Sequence, residues 1–346
     1  MGEKMNSQKL PLVHDKAHFN LFGLALLLVC FLFSMLLVAE EKAQQQPIPL
    51  AKTALKIDEG TATKLGLTFE TVEIEVEGLK KNYAFLWIAD YHIIAEDLSE
   101  VEEKSVNVVK NRIGHFLNPN NGKTSLENWL PLIDCLNKSG ADAVLFGGDI
   151  CDFGSLACIR VLKDGMQKLT IPYMYARADH DVRPWWLASQ NTEASNELEK
   201  SIDGYEPVQV MEFDDLMIVS FNTSTSNVSE EGLNRFKEAY AKRKPIIFVT
   251  HVPINSLVDQ SLANICMGRD TKRRNLTWGT DTYYKPNAQT KELLDMVCAE
   301  ASPVKAVLAG HLHFSWHGML TKSISQHLFH PSFKGNIGVI IVKNKK

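Results

Sequence analysis

The 346 residues are 45% hydrophobic and 23% charged, with a formal net charge of −4. That is the composition of a globular chain with room for one large domain or two modest ones, and its near-neutral balance announces no basic face that would make nucleic acid a stable partner. Cys30, Cys135, Cys151, Cys158, Cys266 and Cys298 show no metal-binding spacing and read as small apolar residues rather than a disulfide framework.

Leu21 to Ala39 is almost entirely apolar, broken only by Gly23 and Ser34. As a helix this run spans about 28 Å at 1.5 Å per residue, enough for the hydrocarbon core of a bilayer. Leu37-Val38-Ala39 is a poor small-residue cleavage site, so the run reads as an uncleaved signal-anchor. Lysines on its two sides nearly balance, while Glu40, Glu41 and the short leader tilt the larger C-terminal part to the outside of the cytoplasm. The division expected is a leader over 1–18, a transmembrane anchor over 19–39, a linker over 40–70 and a globular domain over 71–346.

Val72 to Glu77 alternates apolar and acidic residues, the pattern of a strand with one wet face. Ala84 to Ala89 is a buried strand that ends in Asp90-Tyr91-His92, whose first and third side chains point the same way in extended chain. Ala95 to Pro119 is charged and partly helical and reads as an insertion at the rim. Ser125 to Asn137 is a helix by its spacing of Leu126, Leu130, Ile133 and Leu136, and it leads into the strand Ala143–Phe146. A β-α-β crossover with parallel strands follows. At that strand's end stands Gly147-Gly148-Asp149-Ile150-Cys151-Asp152, where the glycines permit a sharp turn beside a bound ion.

The alternation continues with a helix over Ser155–Leu169 and a strand over Ile171–Arg177 that runs into Ala178-Asp179-His180-Asp181. Val208–Phe213 and Leu216–Phe221 form a hairpin, Ser229–Ala241 a helix, Pro245–Thr250 a strand capped by His251, and Ala306–Ala309 a strand ending in Gly310-His311-Leu312-His313. Five strand ends in a row therefore deliver carboxylates and imidazoles to the edge where open α/β sheets collect their ligands. The strands and turns from Gly318 to Val342 are expected to complete a second sheet.

The ordered set Asp90/His92, Gly148-Asp149/Asp152, Asp179-His180-Asp181, His251 and Gly310-His311/His313 resembles the calcineurin-like metallophosphoesterases from about Tyr83 onward. The resemblance implies a four-layer α/β/β/α sandwich with two divalent metal ions at the sheet edge. Position by position, it implies one ion held by Asp90, His92, Asp149 and His313, and a second shared through Asp149 and completed by Asp179, His251 and His311. Mixed carboxylate and imidazole ligands suit Mn, Fe or Zn. The implied reaction is hydrolysis of a phosphomono- or diester by a metal-bridging hydroxide, with His180 contacting the phosphate or protonating the leaving group and Asp152 orienting it. Asp179 departs from the family's usual Asn, which motivates a second reading as a weak or silent metal-binding or interaction domain on the same fold.

Substrate contacts are expected from Arg183, Trp185 and Trp186 beside the third cluster, and from Arg273 and Arg274 with Trp278, Tyr283, Tyr284 and Lys285 on the loop after His251. The anchor and paired tryptophans also motivate a phospholipid or lipid-pyrophosphate substrate. His115, His317, His327 and His330 stay unassigned, with surface or structural roles expected of them.

Overall fold

In the computed structural model, which describes residues 55–99, 101, 103–182, 200, 202, 206–224, 227–269, 276–278 and 284–345, the alternating acidic stretch lies in strand β1, Thr68–Val76. Val72, Ile74 and Val76 are buried while Glu73 and Glu75 face solvent, the latter two paired with Lys343. Residues 21–39 lie outside the described set, and among the described residues no helix is long and apolar enough to cross a membrane.

Part of the stretch read as linker belongs to the domain. Helix α1, Glu59–Leu65, is capped by Asp58 at its start and closed by Gly66 with φ 62°, and Leu55, Leu67 and Phe69 pack into the same core. Ala62 and Leu65 are its two buried residues, too sparse an apolar pattern to announce a helix. Ile48–Lys346 forms one compact unit.

Two sheets are built from the strands. The first has the order β1, β11 (Asn336–Asn344), β2 (Tyr83–Ile88), β3 (Ala143–Phe146), β4 (Tyr173–Tyr175). The second has the order β5 (Val208–Glu212), β6 (Met217–Phe221), β7 (Ile246–Thr250), β8 (Val304–Ala309), β10 (Ser325–Leu328), β9 (Trp316–Met319). The C-terminal stretch thus divides, because β9 and β10 extend the second sheet while β11 inserts between β1 and β2 of the first, parallel to one and antiparallel to the other. Ile337, Val339, Ile340 and Val342 of β11 are all buried, as a central strand between two apolar layers requires.

The sheets meet across Val72, Phe85, Trp87, Leu145, Ile218, Ile247, Leu308 and Phe329. Outside the first sheet lie α3 (Ser125–Asn137) and α4 (Leu156–Met166), which bury Trp129, Ile133, Ile159 and Leu162 against Leu86, Val144 and Phe146. Outside the second lie α6 (Glu230–Ala241) and α8 (Ala288–Cys298), with Leu233, Phe236, Leu293 and Val297 against Val219, Phe248 and Val307. Each of these helices opens on a side-chain cap, including α8, a helix absent from the sequence expectations. Thr124 and Glu127 make a reciprocal capping box, and Ser155, Ser229 and Asn287 each accept from a backbone N–H three residues on. The remaining helices are α2 (Glu103–Ile113), the four-residue α5 (Asp179–Val182) and α7 (Ser261–Arg269). Among the described residues no cysteine forms a disulfide.

Candidate metal centre

Strands β2 and β3 run parallel, so their carboxyl ends lie side by side. The loops that follow are stitched together by main-chain bonds. Asp90 N–H donates to Gly148 O at 2.9 Å, Tyr91 and His92 N–H both donate to Asp149 O at 2.8 and 3.0 Å, and Asp152 N–H donates back to Ile93 O at 3.0 Å. Gly310 N–H donates to His251 O at 2.9 Å, tying the ends of β7 and β8 in the same way. Gly148 sits at φ 91°, and a Cβ there would meet Ala176 O at 2.7 Å and His251 Nδ1 at 2.8 Å, so the approach of the two sheets requires glycine.

Asp90, His92, Asp149, His311 and His313 all adopt positive φ, between 52° and 74°. The left-handed region costs a non-glycine residue of order 1–3 kcal/mol and is held only where the surroundings over-determine it. Five such residues in one place mark a site whose side-chain directions have been set at the expense of backbone comfort.

Those side chains form two groups close enough for one ion each, Asp90 with His92 and His313, and Asp149 with His251 and His311. In the first, His92 Nε2 lies 3.1 Å from His313 Nε2, which in turn lies 3.2 Å from Asp90 Oδ1. In the second, His251 Nε2 lies 3.1 Å from Asp149 Oδ2. Asp149 Oδ1, His251 Nε2 and His311 Nε2 are buried without a hydrogen-bond partner. Buried polar atoms are normally satisfied, so three converging orphans fit a divalent cation as their common partner. His251 Nδ1 is engaged with Gly147 O at 2.8 Å, which fixes the tautomer and leaves Nε2 for the ion.

The charges agree. Burial alone would lower the His251 pKa, yet Asp149 beside it, with Asp90 and Asp179, raises it to about 10. The cluster thus holds a proton where it asks for positive charge. Burial and the neighbouring His251 push His311 down to about 3, and burial lowers His92, so both present neutral imidazole as ligation requires.

Asp152 is the hub beside these groups. Its Oδ1 lies 2.9 Å from His92 Nδ1 and 3.2 Å from His180 Nδ1, and its backbone oxygen lies 3.0 Å from His180 Nδ1. Arg112 grips the same carboxylate with Nε at 2.5 Å and a terminal nitrogen at 2.6 Å. Burial would raise the Asp152 pKa, but Arg112, His180 and His92 hold it well below the ordinary carboxylate range. Arg112 also lies over the ring of Phe116, which stacks on His92 with centroids 4.2 Å apart. The charged insertion read as rim thus supplies two residues that fix the centre. Their signal was out of reach because a single Arg in a helix that also carries Lys104 and Lys110, and a lone Phe after it, make no pattern.

Asp181 has a different task. Its two oxygens accept four backbone N–H groups, those of Asp149, Ile150, Cys151 and Ala178, at 2.8–2.9 Å. Burial and the charge of Asp149 push its carboxyl up to about 6 against that pull. The residue shapes the turn that carries Asp149.

Asp179 opens α5 and belongs to neither three-residue group, although burial and the charge of Asp149 raise its pKa. Tyr284 reaches the centre, its ring edge-on to His311 with centroids 5.1 Å apart. Trp278 does not; it packs against the core beneath α6 and α8. Arg183, Trp185, Trp186, Arg273, Arg274 and Tyr283 lie outside the described residues.

The calcineurin-like phosphoesterase family matches residues 83–315. A search of curated protein sequences returns no match. Among solved structures, the chain is similar to a dimetal phosphatase from Danio rerio at 12% identity, covering 73% of this chain and 88% of that one with a TM-score of 0.40. It is similar to a purple acid phosphatase from yellow lupin (Lupinus luteus) seeds at 12% identity, covering 76% and 46% with a TM-score of 0.41. A phosphopantetheinyl hydrolase from Mycobacterium tuberculosis is similar at 11% identity, covering 74% and 92% with a TM-score of 0.37. With two ligand groups at adjoining strand ends and the family matched over most of its length, the chain belongs to the calcineurin-like phosphoesterases and is a hydrolase of phosphoric ester bonds.

Proposed function

We propose that the chain hydrolyses a phosphomono- or diester at a two-metal centre held by Asp90, His92 and His313 on one side and by Asp149, His251 and His311 on the other. The observation that carries this reading is the pair of ligand groups, the second of them made of the orphaned Asp149 Oδ1, His251 Nε2 and His311 Nε2. Asp179 completes the second group as a further oxygen ligand. Mn, Fe and Zn suit this donor set. Bound there, such ions make a water acidic enough to attack at neutral pH and polarise the phosphoryl oxygens.

The chain's own residues do the rest. Asp152, clamped by Arg112, holds His180 by Nδ1 and leaves Nε2 as its second nitrogen for the substrate. In the metal-free chain burial lowers the His180 pKa, but Asp149 and Asp152 raise it to about 9. With ions on Asp149 the contact with the Asp152 carboxylate still favours the protonated ring. His180 gives that proton from Nε2 to the departing oxygen as the P–O bond breaks. The apolar run Leu21–Ala39 supports a membrane anchor, and Glu40, Glu41 and the short leader favour this domain outside the cytoplasm.

The test is turnover of p-nitrophenyl phosphate and bis-p-nitrophenyl phosphate by the full chain with Mn, after chelation, and in His180→Ala. Activity that disappears with chelator and falls about 10²–10⁴-fold in His180→Ala is expected. Unchanged turnover in His180→Ala removes the acid role, and turnover that survives exhaustive chelation removes the metal centre.

A further inference from the structure

A second histidine cluster lies at the β9 edge of the second sheet, on residues the reaction does not use. His317 on β9 and His327 on β10 are direct cross-strand partners. Their Nδ1 atoms face each other at 3.2 Å. Two nitrogens that bind one ion at about 2.0–2.1 Å stand roughly 2.9 to 3.4 Å apart for angles from 90° to tetrahedral. The His92 and His313 nitrogens of the metal centre are apposed in the same way, at 3.1 Å.

The far nitrogens make the case stronger. His317 Nε2 lies 2.8 Å from Glu70 Oε1, and His327 Nε2 lies 2.9 Å from Ser325 Oγ. Metal-bound histidines almost always donate their other ring N–H to a carboxylate or another oxygen, which orients the ring and raises its basicity. Glu70 is itself fixed, since its Oε1 accepts from Ser315 Oγ and its Oε2 from the His330 N–H at 3.2 Å. Both rings are thus pre-set with their inner nitrogens converging. His327 is 9% exposed, while the side chain of His317 is 29% exposed, so water reaches the pair from one side.

We propose that His317 Nδ1 and His327 Nδ1 form a cation site of their own, open to solvent, for a borderline ion such as Zn or Cu(II). Imidazole donors select against Mg and Ca. Without the ion, one proton lies between the two nitrogens, on His327 Nδ1, and His327 Nε2 accepts from the Ser325 hydroxyl. Binding moves that proton to Nε2, which then donates to Ser325 Oγ, so neither ring changes charge. Burial and the neighbouring His317 push His327 down to about 3, which keeps the ring neutral and ready to ligate. An ion there ties β9 to β10 and, through Glu70, to β1 of the other sheet.

Equilibrium dialysis of the full chain against micromolar zinc, with metal counted per chain, tests this. His317→Gln and His327→Gln should each carry one zinc fewer than the wild type, whereas His115→Gln, at an exposed histidine, should match it. The difference of one does not depend on how many ions the phosphoesterase centre takes. In the wild type, zinc should also slow carbethoxylation of His317, read by peptide mass, which needs no variant to fold. Equal zinc counts in wild type and His317→Gln, or a His317 modification rate indifferent to zinc, overturns the site.

Discussion

The centre at the strand ends and the rim pair on β9 and β10 both oppose two imidazole nitrogens at just over 3 Å, yet their surroundings differ in kind. At the centre, carboxylates stand among the nitrogens themselves, and Asp90 and Asp149 are buried with His251 while His311 is half-buried. Several ligand residues there sit on strained backbone. At the rim, the carboxylate of Glu70 stands behind the ring, the histidines lie on regular strands, and one of them meets water. The contrast separates two ways of holding a cation. Buried charge of both signs gives strong binding and electrophilic power at a cost in backbone strain, whereas two oriented neutral rings give a modest grip with little electrostatic consequence.

The largest expected break in this comparison is Asp149→Ala. Asp149 lies against His251, and its Oδ1 has no protein partner. Turnover should vanish and both ions of the centre should be lost on dialysis, while the rim pair keeps its zinc. A variant that retains turnover would show that Asp149 is not shared by the centre.

Proton linkage divides the two clusters next. His251 rises from 6.5 to about 10 and His180 to about 9, each held up chiefly by Asp149 against the effect of burial. A raised folded-state pKa gives stability that is complete below the unfolded value and is lost as pH climbs through the folded one. The chelator-treated chain should therefore lose thermal stability between about pH 6.5 and 10. With Mn present the ion replaces the proton and the loss should shrink, since metal binding tightens as imidazole deprotonates. Melting curves across this range with and without chelator measure both slopes; a flat chelated profile would contradict the assignment of that proton.

Arg112 tests how far the centre depends on its support. Arg112→Met leaves the buried Asp152 carboxylate without its bidentate partner, beside His92 and His180. Loss of a partner that orients a metal ligand typically costs about 10–100-fold in affinity or activity. The expected pattern is a fall in kcat with weaker metal binding by calorimetry, and partial rescue in Arg112→Lys, which restores charge without the fork. A change in melting temperature alone, with kcat and metal affinity intact, would make Arg112 purely structural.

That residue also marks where the sequence stops being legible. The strand ends were readable because buried strands are short apolar runs and each ends abruptly in Asp, His or Gly, as at Phe146-Gly147-Gly148-Asp149. Seven of the expected site residues announce themselves that way, and six of them fall into the two ligand groups. Arg112 in the last turn of α2 and Phe116 just beyond it are aimed at the centre only by tertiary packing, so no period or motif points to them. Asp181 was visible as a letter of the motif, but its four backbone bonds exist only in the folded turn. The rim pair was invisible for another reason. Register, which places His317 opposite His327, is a property of the paired strands and of neither strand alone.

Asp179 sharpens the electrostatic half of the comparison. Burial and Asp149 raise its pKa because its negative charge enters a crowded site. Asp179→Asn removes that charge and keeps an oxygen ligand. A several-fold rise in kcat, from a more electrophilic centre, is expected with metal affinity somewhat weaker. A fall in kcat would mean that the carboxylate itself is needed, as a ligand that the amide cannot replace.

Glu70→Gln is the gentlest test, because it touches the rim alone. The amide oxygen of the variant accepts from either the His317 side or the His330 side, and its NH2 then opposes the N–H groups on the other. About 1 kcal/mol of stability should be lost for the unmade bond. Burial would raise the Glu70 pKa, yet His317, His330 and Ser315 hold it well below the ordinary range. That contribution is present above about pH 4.5 and fades as acid titrates the carboxylate, so the variant and wild type should converge in stability toward low pH. Phosphoesterase turnover should not change. Ser315 lies between His313 and His317 in the chain and donates to Glu70, which makes it a short route from rim to centre. A drop in kcat in Glu70→Gln would show that the loop from Gly310 to Ser315 transmits rim geometry to the ligands, and the two clusters would then be one coupled device.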